Sequence, residues 1–166
     1  MDLEPRAVQR VLPPRAPFDV VNAFMRWALS SPTRSRTLGG NLLLLHVTGR
    51  TSGRLITVPV AYRTLQDGRL LVLTNAKWRV NLRDRDEVEV TLRGVRQAAA
   101  AELVEDADEV AMVYAALIRE VGRKRAARRL GIRINVEREP SHEELSDAAR
   151  RDGLSLVYLG ATGGLR

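Results

Sequence analysis

The sequence predicts an α+β fold built on a mainly antiparallel sheet that closes into a barrel, with helices outside it. Three observations carry this. Between Leu42 and Val104, short apolar or alternating runs follow one another. Turn residues punctuate them, so the strands are joined by short connections. Amphipathic helical patterns lie before and after this stretch, with only a short helical turn at Trp78 to Leu82 inside it.

Residues 1–16 contain Pro5, Pro13 and Pro14 without a periodic pattern and read as a loose arm. From Phe18, the apolar positions Val20, Val21, Phe24, Met25, Trp27 and Ala28 fall on a helical period that ends at Ser30-Ser31-Pro32. Leu42 to Thr48 is a dense apolar run, as in a buried strand, and Gly49-Arg50-Thr51-Ser52-Gly53 turns it. Leu55 to Arg63 is rich in β-branched residues, and Pro59 inside it implies an edge strand or a bulge. Gln66-Asp67-Gly68 signals a hairpin into a strand over Leu70 to Thr74. Trp78 to Leu82 reads as a short helical turn. Glu87 to Leu92 alternates charged and apolar residues, and Gly94 turns the chain into a strand over Gln97 to Val104 despite its alanines.

Ala107 to Val121 is an amphipathic helix with Val110, Val113, Tyr114, Leu117 and Val121 on one face. Arg123, Lys124, Arg125, Arg128 and Arg129 follow as a basic cluster. Ser141 with Glu144 forms a capping box for a helix through Arg150, and Leu154 to Leu159 is a last strand. One domain is expected over 17–160, with a frayed end at 161–166.

The chain has 166 residues, 45% apolar and 28% charged, which suits a globular protein that buries a core without staples. It has no cysteine, so disulfides and thiolate zinc sites are excluded. No apolar run approaches the ~20 residues of a membrane span, and no secretory leader is evident, so a cytoplasmic protein is expected. The net charge is +7, and nearly all the cations are arginine, with lysine only at Lys77 and Lys124. Arginine's planar fork matches phosphate and carboxylate oxygens, so the charge suits a polyanionic cofactor, nucleic acid or an anionic membrane face.

Several chemistries have no support. His46 sits in an apolar strand and reads as a hydrogen-bonded core histidine, and His142 as solvated. Neither has a partner at metal-ligand spacing. There is no G-x-S-x-G elbow, no phosphate loop of the G-x-x-x-x-G-K-[ST] type and no G-x-G-x-x-G fingerprint. An enzyme with this inventory would borrow its chemistry from an organic cofactor.

The informative stretch runs from Leu42 to Val90. It holds T-G-R-T-S-G-R at Thr48 to Arg54, T-V-P-V-A-Y at Thr57 to Tyr62, L-L-V-L-T-N at Leu70 to Asn75, W-R-V-N-L at Trp78 to Leu82, and V-E-V at Val88 to Val90. This ordered set resembles the deazaflavin-dependent nitroreductase family. The resemblance implies a six- to seven-stranded split β-barrel with flanking helices, and an oxidoreductase using coenzyme F420, with FMN as the alternative cofactor. The hydride acceptor would be a quinone, a nitroaromatic or an activated alkene, and a homodimer is implied.

Physics gives these residues plausible work. A Gly, Ser and Thr-rich turn exposes amides that converge on an anion, and Arg50 and Arg54 flank it. The resemblance puts the cofactor's phosphate-bearing tail there, on Arg50, Thr51, Ser52 and Arg54. It puts Thr57, Pro59 and Val60 along the cofactor cleft, and Asn75, Ala76, Lys77 and Trp78 near the deazaflavin ring. Trp78 also suits a core anchor beside the sheet. Tyr62 and Tyr114 are the candidates for orienting the acceptor or supplying a proton. The chain departs from the family pattern at Thr51, where a lysine is usual, at Ile56, where an arginine is usual, and in a shortened loop before Trp78. A split barrel that binds FMN, another flavin, haem or a lipid is therefore the alternative. A nucleic-acid binder using Arg123 to Arg138 is a second one, although only seven aromatics are available for stacking.

Overall fold

The computed structural model describes residues 6–11, Ala23 and 41–162. The helix expected from Phe18 to Ala28, Trp27 included, lies outside these residues apart from Ala23. Nine strands are described: β1 (Val8–Arg10), β2 (Leu42–Thr48), β3 (Leu55–Ala61), β4 (Arg63–Thr64), β5 (Leu70–Thr74), β6 (Glu87–Leu92), β7 (Val95–Val104), β8 (Ile132–Ile134) and β9 (Ser155–Ala161). The helices are α1 (Ala107–Val121), α2 (Ala126–Leu130) and α3 (His142–Asp152), with 3-10 turns at Lys77–Leu82 and Arg123–Arg125. None is long and apolar enough to cross a membrane.

Seven strands form one antiparallel sheet in the order β3-β2-β6-β7-β9-β5-β4, curled as a half-barrel, so the fold is the α+β class expected. β3 is an edge strand, which is where Pro59 can sit without costing a ladder hydrogen bond. β6 and β7 meet at Leu92↔Val95 across a two-residue turn. Arg93 and Gly94 both take positive φ there, 50° and 80°, the pattern of a type I′ hairpin turn.

The chain divides into two compact units. The sheet unit includes Lys77–Leu103 and most of the seven strands. β2 is its axis, pairing with β3 from Leu42↔Ala61 to Thr48↔Leu55 and with β6 from Leu43↔Leu92 to His46↔Glu89. Leu43, Leu45 and Val47 enter the core beside Val90, Val157 and Leu159, all 3% exposed or less. The opposite face of β2 carries Leu44 and His46, which are buried as well. His46 Nδ1 lies 2.9 Å from Thr57 Oγ1 on β3, and Nε2 lies 2.8 Å from Thr91 Oγ1 on β6. One imidazole thus ties three neighbouring strands, with one nitrogen donating and the other accepting.

The helical unit contains Val104–Leu156 and a short stretch near the start of the chain. α1 begins at Asp106, whose carboxylate accepts from the amides of Asp108 and Glu109. α3 begins with the expected Ser141–Glu144 capping box. α1 and α3 are clasped at Asp108, whose Oδ1 accepts from Ser146 Oγ at 2.8 Å and from His142 Nε2 at 3.1 Å. The arm expected over residues 1–16 is not wholly loose. Val8–Arg10 runs antiparallel to Ile132–Ile134, and Val8 is 2% exposed. The Arg151 guanidinium donates to the Val8 carbonyl at 2.7 Å. Three residues are too short a run to signal a strand by period, and their partner is more than a hundred residues away in sequence.

Burial, with the charge of Arg96 added, holds the His46 imidazole below its ordinary value of 6.5, and Glu89 opposes the shift. The unfolded chain therefore takes up a proton before the native one does. Stability from this group is present above the unfolded value and is lost as pH falls through the lower folded one. Denaturation midpoints of the parent and of His46→Gln, measured across this range, should converge as the pH drops. A constant difference at every pH would show that His46 does not titrate with unfolding.

Candidate functional site

The turn between β2 and β3 is shaped by its glycines. A side chain at Gly49 would put a Cβ 2.6 Å from Ser52 Oγ, and Gly53 has φ +66°. The Gly49 amide donates to the Arg54 carbonyl at 2.8 Å, the Gly53 amide to the Gly49 carbonyl at 3.0 Å, and the Arg54 amide to Ser52 Oγ at 3.3 Å. The Arg50 amide donates to Asn81 Oδ1 at 2.9 Å. That leaves the amides of the exposed residues Thr51 and Ser52, which have no hydrogen-bond partner among the described residues. The turn's own closure consumes its other amides, so the tip alone is left to donate, in place of the whole turn expected from the sequence.

The two flanking arginines separate in role. Arg50 reaches back over the 3-10 turn, with Nη1 3.4 Å from the Val80 carbonyl and Nη2 3.3 Å from Asp84 Oδ2. Arg54 is exposed and has no carboxylate partner among the described residues. Asn81 completes the link by donating Nδ2 to the Trp78 carbonyl at 3.0 Å. Its one side chain holds both the turn and the Lys77–Leu82 segment. Trp78 is half-buried against the sheet's core, and Lys77 is exposed.

Other expected residues are distributed by strand periodicity. Thr57 and Pro59 stand opposite His46 and Leu44, on one face of β3. Val60, opposite Leu43, belongs to the core on the other face. A single cleft cannot be lined by both sets from the same side. Ile56 shares the face of Val58 and Val60, and is half-buried. Asn75 and Ala76 belong to the helical unit and lead into Lys77, with the Ala76 amide bonded to Thr74 Oγ1 at 3.0 Å. Tyr62 is 5% exposed inside the sheet's core, and Tyr114 is 2% exposed on α1 in the helical unit. Burial pushes the Tyr114 phenol well up, so it stays protonated. Among the described residues no group of three metal-ligating side chains occurs.

Sequence reasoning missed the brace, although Asn81 was in plain view as the N of W-R-V-N-L. The signal lay in a polar residue at i+3 from Trp78 in a short helical turn, where an amide side chain can return to the backbone.

A family model described as F420H(2)-dependent quinone reductase matches residues 22–138. No curated protein matches the chain. A pyridoxamine 5'-phosphate oxidase-related, FMN binding protein from Nostoc punctiforme is similar at 15% identity and a TM-score of 0.48, covering 89% of this chain and 81% of its own. A structure described as a domain-swapped dimer is similar at 16% identity and a TM-score of 0.44, covering 87% of this chain and 99% of its own. A protein of unknown function from Agrobacterium tumefaciens, at 18% identity and a TM-score of 0.46, is covered over 59% of its length and covers 94% of this chain.

The brace is separable by substitution. Asn81→Asp keeps an acceptor for the Arg50 amide and loses the donor to Trp78, whereas Asn81→Ala loses both. Each bond contributes about 1 kcal/mol, so the alanine variant should lose roughly twice the stability of the aspartate variant in chemical denaturation. Its Arg50 amide should also exchange faster with deuterium. Equal losses, or unchanged exchange at Arg50, would remove Asn81 as the brace.

Proposed function

Because the chain belongs to the F420H(2)-dependent quinone reductase family, we propose that it binds coenzyme F420 and passes a hydride from the reduced cofactor to a quinone. The observation that carries the site assignment is the donor set at the tip of the β2–β3 turn. Thr51, Ser52 and Arg54 are exposed together there and offer two unpaired amides, two hydroxyls and a guanidinium, and Arg54 has no carboxylate partner among the described residues. Such a set fits a phosphate group, which accepts from all of them and is bound best by a planar guanidinium.

In this reading the tail of the cofactor rests on Thr51, Ser52 and Arg54. Arg50 is a positioning residue, because its guanidinium already holds Val80 and Asp84. Lys77 supplies a further cation, and Trp78 offers an aromatic surface for the ring, held at its backbone by Asn81. The departures at Thr51 and Ile56 then leave Arg54 carrying more of the tail's charge than a single residue of a larger cationic set would.

The bound cofactor supplies the hydride, and a quinone that accepts it needs one proton to become the hydroquinone. Tyr62 and Tyr114 are poor sources for that proton, since both are almost fully buried and the Tyr114 phenol is held protonated. We assign the proton to water. The chain's own contribution is orientation of the reactants, which by itself lowers a two-reactant barrier substantially. A homodimer and a cytoplasmic location remain part of the proposal on the family resemblance, and light scattering reads the first.

Arg54→Ala should weaken coenzyme F420 by about 1.5–3 kcal/mol, on the order of 10- to 150-fold in Kd, if its bond to the tail is charge-assisted. The parent's affinity should fall with added salt more steeply than the variant's. Arg133→Ala, on β8 in the helical unit, serves as the control and should bind as the parent does. Fluorescence titration with coenzyme F420 and separately with FMN reads all three proteins. Tighter binding of FMN, or equal affinity in the parent and Arg54→Ala, would defeat this assignment.

A further inference from the structure

We propose that the basic turn between α1 and β8 is a binding site for a small anion carrying several phosphate groups. Lys124, Arg125, Arg128 and Arg129 line a concavity of about 450 Å³, within the range of small-molecule sites. The proposal goes beyond the reductase reading, and its test measures no reductase activity.

The backbone gathers these side chains. Gly122, with φ +83°, ends α1, and its amide closes on the Ile118 carbonyl at 2.8 Å. The 3-10 turn and α2 follow at once, anchored by Ala126 and Leu130, which are 0% and 4% exposed. The anchors face inward, so Lys124, Arg125, Arg128 and Arg129 are left on the solvent side. Lys124 and Arg125 in the 3-10 turn and Arg128 and Arg129 in α2 thus bring four like charges into six consecutive residues.

Other arginines in this protein relieve such repulsion with carboxylates. Arg69 pairs with Asp67, Arg96 with Glu89, and Arg138 with Glu144. Arg123, at the head of the same turn, donates instead to the Val136 carbonyl at 2.6 Å. Among the described residues none of the four lining side chains has an ion-pair partner. Among the described residues this positive charge is uncompensated, and it surrounds one concave space, where field lines focus.

Three planar forks and one ammonium favour phosphate over other anions. A tetrahedral group presents oxygens to two guanidiniums at once, and a chain of linked phosphates can meet several cations together.

The test is calorimetric titration of the intact protein with inorganic tripolyphosphate, orthophosphate and sulfate, at low and moderate salt. Tripolyphosphate should bind the parent at least about tenfold more tightly than orthophosphate, as expected when linked phosphates engage several cations. The double variant Arg125→Gln/Arg128→Gln should lose about tenfold or more of that affinity. Arg133→Gln should lose none, and unchanged melting temperatures would exclude a folding defect as the cause. A single-stranded oligonucleotide or anionic vesicles bound more tightly than tripolyphosphate, with the same loss in the double variant, would overturn the small-anion assignment. So would no binding, or binding that the double variant retains.

Discussion

The constraint on which the sheet depends is that β2 is buried on both faces. A strand in that position has no water to satisfy a stray polar group, so its sequence must be apolar or its polar atoms must be paired. Leu43, Leu45 and Val47 meet this on the core side. On the other side, His46 meets it by bonding both ring nitrogens to threonines of the two flanking strands. The same bonds reinforce register, since a one-residue slip of β2 would carry His46 into the core and a leucine to the threonines. β3 and β6 are thereby fixed on either side of one strand, and the β2–β3 turn emerges at a defined place.

That turn is held a second time from outside. Asn81 and Arg50 fasten it to the Lys77–Leu82 segment, so two stretches separated in sequence behave as one surface. Preorganisation matters for a protein whose chemistry comes from a bound cofactor. The entropy of ordering the donors is lost on folding rather than on binding, which leaves more of the contact energy for affinity. The turn's closure consumes most of its amides, so in the proposed reading recognition falls to a small set at the tip. Binding of this kind relies on the quality of a few charge-assisted bonds.

Much of this was legible in the sequence, because it rests on local signals. Period and turn chemistry located β2, β5 and β6 closely, Pro59 marked an edge strand, and Ser141 with Glu144 marked the start of α3. The ordered motifs from Thr48 to Val90 pointed to the family to which the chain belongs. What was not legible depends on long-range pairing. β1 and β8 are three residues each and acquire meaning only through one another. The separate roles of Arg50 and Arg54 follow from Asp84 and Val80, some thirty residues along the chain, and no spacing rule connects them. Thr57, Pro59 and Val60, which the resemblance puts along one cleft, divide between the two faces of β3, with Val60 in the core.

The most direct test of the central claim is a map of backbone amide resonances as coenzyme F420 is added to the protein. The account predicts that the amides of Thr51 and Ser52 shift first and furthest, with smaller changes at Lys77 and Trp78, because those two amides have no partner among the described residues. Saturable shifts confined to other strands, with Thr51 and Ser52 unmoved, would contradict it.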